Sequence, residues 1–161
     1  MMMMCERTIR ATLCGGLLLM AGMGRAQLTV SPQTDLLELA GAISGPGVQI
    51  SNVTIDCHGA GYGEFSYTGN VLSVSEGVLL TSGSIDNAVG PNNVEDRSFE
   101  QFTPGNALLD QVTGRTTYDA CKLEFDVIPG GDSLRFNFAF ASEEYNEWVG
   151  SQYNDVFGFF I

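Results

Sequence analysis

Between Thr117 and Ala141 the chain alternates with a period of two on either side of one turn, and few folds accept that pattern. In TYDACKLEFDVI, Cys121, Leu123, Phe125 and Val127 fall on one side while Lys122, Glu124 and Asp126 fall on the other. Pro129-Gly130-Gly131-Asp132 then signals a turn. Next, SLRFNFAFA places Leu134, Phe136, Phe138 and Phe140 on one face. Two half-buried strands joined by a turn predict a β-hairpin. Further on, residues 154–161 are apolar on both faces (Val156 and Phe160; Phe157, Phe159 and Ile161), as in a central strand covered on both sides. That strand meets the end of the chain with a partner strand still owed, so the domain reads as incomplete at its C-terminus.

Upstream, the same alternation recurs in VQISNVTIDC and GEFSYTG, while GVLLTSG is a short buried-type run. One long helix is expected, from Ser31-Pro32 through QTDLLELAGAI. Ser31 is placed as the cap, Pro32 sits at the first helical position, and Leu36, Leu37, Ala40 and Ile43 recur on one face. Gly45-Pro46-Gly47 ends it. A second short helix is read at residues 106–112. A helical turn is read over 142–149, with Ser142 capping and Gly150 just past its close. Many short strands with few helices define a mainly all-β chain, a two-sheet β-sandwich with a jelly-roll-like variant open.

Residues 1–26 stand apart from this pattern. Arg7 and Arg10 precede an apolar stretch over 11–23, and Gly24-Arg25-Ala26 sets small residues three and one before a cut ahead of Gln27. This is the layout of a secretory signal peptide. The apolar run is shorter than the ~20 residues a membrane span needs, and Leu13 before Cys14 fits a lipoprotein signal poorly. The domain is then residues 27–161, long enough for a real core. Its only basic side chains are Arg97, Arg115, Lys122 and Arg135, against 18 carboxylates. Phosphate-rich partners require clustered Lys and Arg, so nucleic acid is excluded, as is adsorption to an anionic membrane.

Four cysteines fall to two once the signal is removed, and Cys57 and Cys121 both occupy the apolar phase of their strands. In an oxidising compartment they form either one disulfide or a pair of buried thiols.

Candidate chemistry concentrates in SEEYNEWVGSQYND. Glu143 and Glu144 suit the positive end of the helical turn. With Glu147, Asn154 and Asp155 they also supply the hard oxygens that Ca²⁺ collects six to eight at a time. The loop Asp86-Asn87-Ala88-Val89-Gly90-Pro91-Asn92-Asn93 offers further oxygen ligands. Tyr145, Trp148 and Tyr153, beside amides and acids, suit stacking against a sugar ring. Two of the acids, with Glu144 and Asp155 as the pair to test, could divide the acid and base roles of glycan cleavage. His58 is the single histidine, which argues against a zinc site and leaves a serine triad without its elbow motif. Asn52-Val53-Thr54 matches an acceptor sequon but falls inside an expected strand.

Three segments, GVLLTSGSIDNAVGPNN (77–93), TTYDACKLEFDVIPGGDSLRFNFAFASEEYNEWV (116–149) and NDVFGFFI (154–161), together resemble the choice-of-anchor L domain family of bacterial exported proteins. LTVSPQTDLLELAGAISGPGVQISNVTI shares that look. The resemblance implies export, with secretion or surface attachment through C-terminal signals that differ between members. It brings no catalytic residues and no ligand.

The expectation is therefore a non-catalytic, adhesive or ligand-binding extracellular domain. Its site is a calcium-ordered loop built from Glu143, Glu144, Asn154 and Asp155, and its partner an extracellular ligand, glycan or surface protein. The alternative is a carbohydrate-binding module using Tyr145, Trp148 and Tyr153.

Overall fold

A computed structural model describes residues 27–91, 94, 97–142, 144, 146 and 148–161. Residues 1–26, where a signal peptide is expected, lie outside the described residues. The elements run β1 (Leu28–Pro32), α1 (Leu36–Ile43), β2 (Val48–Asp56), β3 (Tyr62–Tyr67), β4 (Glu76–Leu80), a 3₁₀ turn (Ile85–Ala88), α2 (Ala107–Thr113) and β5 (Lys122–Pro129). The fold is mainly β, as expected: the described residues form five strands in two antiparallel sheets, with short helices. One sheet has the order β1-β3-β4 and the other pairs β2 with β5.

In the three-stranded sheet, β3 is central and aligns Val30 with Phe65 on one side and Gly63 with Leu79 on the other. Gly63 is buried, and a side chain there would overlap the Ser31 carbonyl and approach Ile85 Cδ1. Only hydrogen fits. α1 packs on β2 of one sheet and on β3 and β4 of the other. Leu39, fully buried, and Ile85, 2% exposed, are the most deeply enclosed side chains of the described residues.

α1 begins later than Ser31-Pro32 suggests. Those two residues pair with Glu64 and Gly63 as the end of β1. The cap is Asp35, whose carboxylate accepts from the Leu37 N–H at 2.8 Å. With Glu38 three residues on, Asp35 offers the helix a better start than Ser31 does once β3 has claimed the Ser31 backbone. The second helix falls where expected, capped by the Asn106 carboxamide on the Leu108 N–H at 2.9 Å and closed by Gly114 at φ 67°.

The expected hairpin is not the pairing observed. β5 lies antiparallel to β2, from Val48 opposite Pro129 to Asp56 opposite Lys122. No strand is assigned over 133–141 or 154–161. These two segments instead meet through their rings. Phe136 stacks on Phe159 at 4.5 Å and Phe138 on Phe157 at 5.2 Å, an antiparallel alignment carried by side chains. The last segment is also less enclosed than a central strand requires, since Phe157, Phe159 and Phe160 remain 44–48% exposed. One flank of it faces α2, where a side chain added at Gly158 would come within 3.0 Å of Leu109 Cδ2.

β2 contains an irregularity where its apolar spacing jumps from two residues to three, between Ile50 and Val53. Between Ser51 and Thr54 the register shifts, so Asn52 and Val53 together oppose the single residue Phe125. Asn52 adopts φ 52° and donates from Nδ2 to Asp126 Oδ2 at 2.6 Å. Asparagine is among the few side chains that accept this left-handed geometry readily. The bulge resets the phase, so Val48 and Ile50 before it and Val53 and Ile55 after it share the more buried side.

Candidate functional site

Cys57 and Cys121 follow and precede the ends of β2 and β5, extending the alignment of Asp56 with Lys122 by one pair. They are joined as a disulfide, with Cα atoms 4.3 Å apart. Beside them Lys122 Nζ lies 2.7 Å from Glu124 Oε2 and 4.0 Å from Asp56 Oδ2. The Glu124 hydrogen bond, against a smaller opposing effect of desolvation, holds the Lys122 ammonium above its usual pKa.

The expected ligand loop closes on itself. Ser142 Oγ accepts from the Glu144 N–H at 3.2 Å and bonds the Asp155 carboxylate at 2.5 Å. Between these ends the Trp148 N–H reaches the Glu144 carbonyl at 2.9 Å, completing the expected helical turn, and Gly150 follows at φ 80°. Ser151 then turns the chain back, its hydroxyl accepting from the Tyr153 N–H at 3.0 Å. Arg115, just beyond α2, donates to the Gln152 carbonyl at 3.4 Å from outside the loop.

This geometry brings some expected residues together and not others. Trp148 and Tyr153 meet edge to face at 5.5 Å, with 41% and 52% of their surfaces exposed. Asp155 and Glu144 are linked through Ser142. Asn154 turns its amide nitrogen back to the Ser151 carbonyl at 3.5 Å. Glu143, Tyr145 and Glu147 lie outside the described residues, as do Asn92 and Asn93. Among the described residues, no group of three or more His, Cys, Asp or Glu side chains is placed to hold a metal ion. In the other polar loop, Asn87 Oδ1 is engaged by Arg97 Nε at 3.3 Å. His58 Nδ1 accepts from the Ala60 N–H at 3.3 Å and serves its own turn.

Two polar arrangements carry no signal in the sequence. A shallow cleft of about 710 Å³ opens between α1 and the three-stranded sheet, with Glu38, Glu64, Glu76, Ser66 and Phe65 in its lining. The Gln33 amide donates to Glu38 and, at 3.4 Å, to Glu64. These acids stand 26 and 12 residues apart in sequence and meet only through the packing of α1 on β3 and β4. The second arrangement sits after α2. Asp110 Oδ1 accepts from the Thr117 hydroxyl at 2.7 Å and its N–H at 2.6 Å, which holds the Asp110 carboxyl below its ordinary pKa.

Two antiparallel sheets, a disulfide at the end of one ladder and an aromatic, acid-bearing loop define a small disulfide-bonded β domain. Among the described residues no helix is long and apolar enough to cross a membrane. The chain belongs to the choice-of-anchor L domain family, whose model matches residues 29–161. Membership marks a surface or exported bacterial protein, in a family that is generally non-catalytic. Comparison with curated proteins and with solved structures returns no match.

Proposed function

We propose that this chain is an exported, non-catalytic binding domain that contacts an extracellular glycan through the loop over residues 142–155. The observation that carries this reading is the Trp148–Tyr153 pair, edge to face at 5.5 Å and half exposed, on a loop closed at its neck by Ser142 and Asp155. Exposed rings bordered by amides and carboxylates suit a sugar, whose C–H face stacks while its hydroxyls hydrogen-bond. The proposal carries Tyr145 as a third ring on its sequence position alone.

Trp148 is the single tryptophan, so its fluorescence reports the site without interference. Titration with a panel of soluble bacterial and host polysaccharides should give a saturable change that Tyr153→Ala weakens at least tenfold. A flat response across the panel, with the protein folded, would sink the glycan reading.

Calcium ordering of the same loop is the second reading, favoured by the Ser142 bridge between the Glu144 backbone and the Asp155 carboxylate. Glu143, Glu144, Asn154 and Asp155 would supply its oxygens. A cation held at 100 times its dissociation constant adds about 2.7 kcal/mol if it binds only the folded state. Thermal unfolding in chelator and in millimolar calcium should then differ by several degrees, and Asp155→Asn should remove the difference. Identical curves reject the cation and leave the glycan reading intact.

A further inference from the structure

The disulfide sits where the two sheets meet, and its surroundings suggest more than a staple between strands. β2 and β5 are already aligned over seven residue pairs, so their pairing does not depend on the bond that follows it. Beyond the bond, the turn over 57–61 crosses to the other sheet. There the Gly61 carbonyl accepts from the Thr81 N–H at 2.8 Å, and the Ala60 carbonyl from the Ile85 N–H at 2.9 Å. Those two hydrogen bonds fix the end of β4 and seat the buried Ile85.

Gly61 lies directly against the sulfurs. Cys121 Sγ is 3.4 Å from the Gly61 carbonyl oxygen, and a side chain at Gly61 would come within 2.7 Å of Cys57 Sγ and 2.9 Å of both Gln101 Nε2 and the Thr81 carbonyl. Two thiols cannot share the space of a bonded pair, and a close-packed neighbour must yield when they separate. The β2–β5 ladder resists that displacement on one side. On the other stands a turn held to β4 and Ile85 by two hydrogen bonds.

We propose that the Cys57–Cys121 bond is a redox-sensitive joint between the sheets. Formed, it locks the 57–61 turn against β4 and Ile85. Opened, it releases that turn while leaving the β2–β5 ladder paired. The reductant is a dithiol. Its thiolate attacks one sulfur of the bond and displaces the other cysteine as thiolate, and its second thiol then resolves the mixed disulfide. The products are two protein thiols, after protonation, and one oxidised dithiol. Neither cysteine is fully buried.

The test is hydrogen exchange followed by mass spectrometry on the oxidised protein, on the protein in dithiothreitol, and after reoxidation. Reduction should cost the Thr81 and Ile85 amides at least tenfold in protection, leave the ladder amides of β2 and β5 within threefold, and reverse on reoxidation. Equal protection in both forms would show that the bond holds nothing beyond the ladder. Loss spread evenly through β2 and β5 would show a global staple, and overturn the proposal equally. The Cys57→Ser, Cys121→Ser double variant should reproduce the reduced pattern; failure to fold counts against the joint.

Discussion

The Ser142 hydroxyl and the Asp155 carboxylate meet at 2.5 Å across thirteen residues of chain, and that bond is the neck of the loop carrying Trp148 and Tyr153. Removing the hydroxyl by Ser142→Ala deletes both this bond and the one it accepts from the Glu144 N–H, and should cost about 1–2 kcal/mol at roughly 1 kcal/mol for each. Amide exchange at 144–155 should quicken and the Trp148 emission should move toward that of solvent-exposed indole. An unchanged spectrum would mean that the loop holds its shape without this bond.

The bulge in β2 makes a different demand. Asn52 is held at φ 52° and hydrogen-bonded to Asp126. Asn52→Gly keeps the backbone geometry and loses one bond, whereas Asn52→Val adds left-handed strain of about 1–2 kcal/mol. Urea denaturation should rank the variants wild type, glycine, valine. Valine equal to glycine would remove the strain argument.

Gly63 tests the centre of the three-stranded sheet. An alanine methyl there must displace the Ser31 carbonyl or Ile85, and overpacking of this kind costs about 1–3 kcal/mol. Gly41, on α1 with open space around it, is the control. Gly41→Ala should be neutral or stabilising in a thermal melt, because alanine is the better helix former.

Acid should act on the turn after α2. The Thr117 hydroxyl and N–H favour the charged form of Asp110 and depress its folded pKa below 3.8. The stabilisation is fully present above the unfolded value and is lost as pH falls through the lower folded one. Asp110→Asn should therefore flatten the acid limb of stability against pH, read as urea midpoints between pH 2 and 7. Lys122 acts at the other end of the scale. Its raised pKa stabilises below about 10.5 and ceases to do so as pH climbs through the folded value.

Much of the fold was legible because a period of two records which side of a strand is buried. β2, β3, β4 and β5 lie where their apolar phases place them, and the shared phase of Cys57 and Cys121 anticipated two sulfurs on one side. Periodicity names a face but not a neighbour. Proximity alone therefore pairs SLRFNFAFA with β5, although β2 is the strand β5 pairs with. Ser31-Pro32 resembles a helix start locally, but its backbone hydrogen bonds belong to β3. In the loop, the cap at Ser142 could be read from spacing alone. Its bond to Asp155 could not, because only the return of the chain brings the two together.

The phenylalanines of 136–140 and those of 157–159 both recur every second residue, so their stack has no unique alignment of its own. Sliding one segment past the other by two residues, roughly 6.6 Å, exchanges one ring pair for another; Phe157 already touches both Phe138 and Phe140. A hydroxyl bonded to a single carboxylate does not repeat at that interval, and the same slide would part it. The Ser142–Asp155 bond thus acts as the stop on a ratchet, selecting which notch the aromatic teeth occupy.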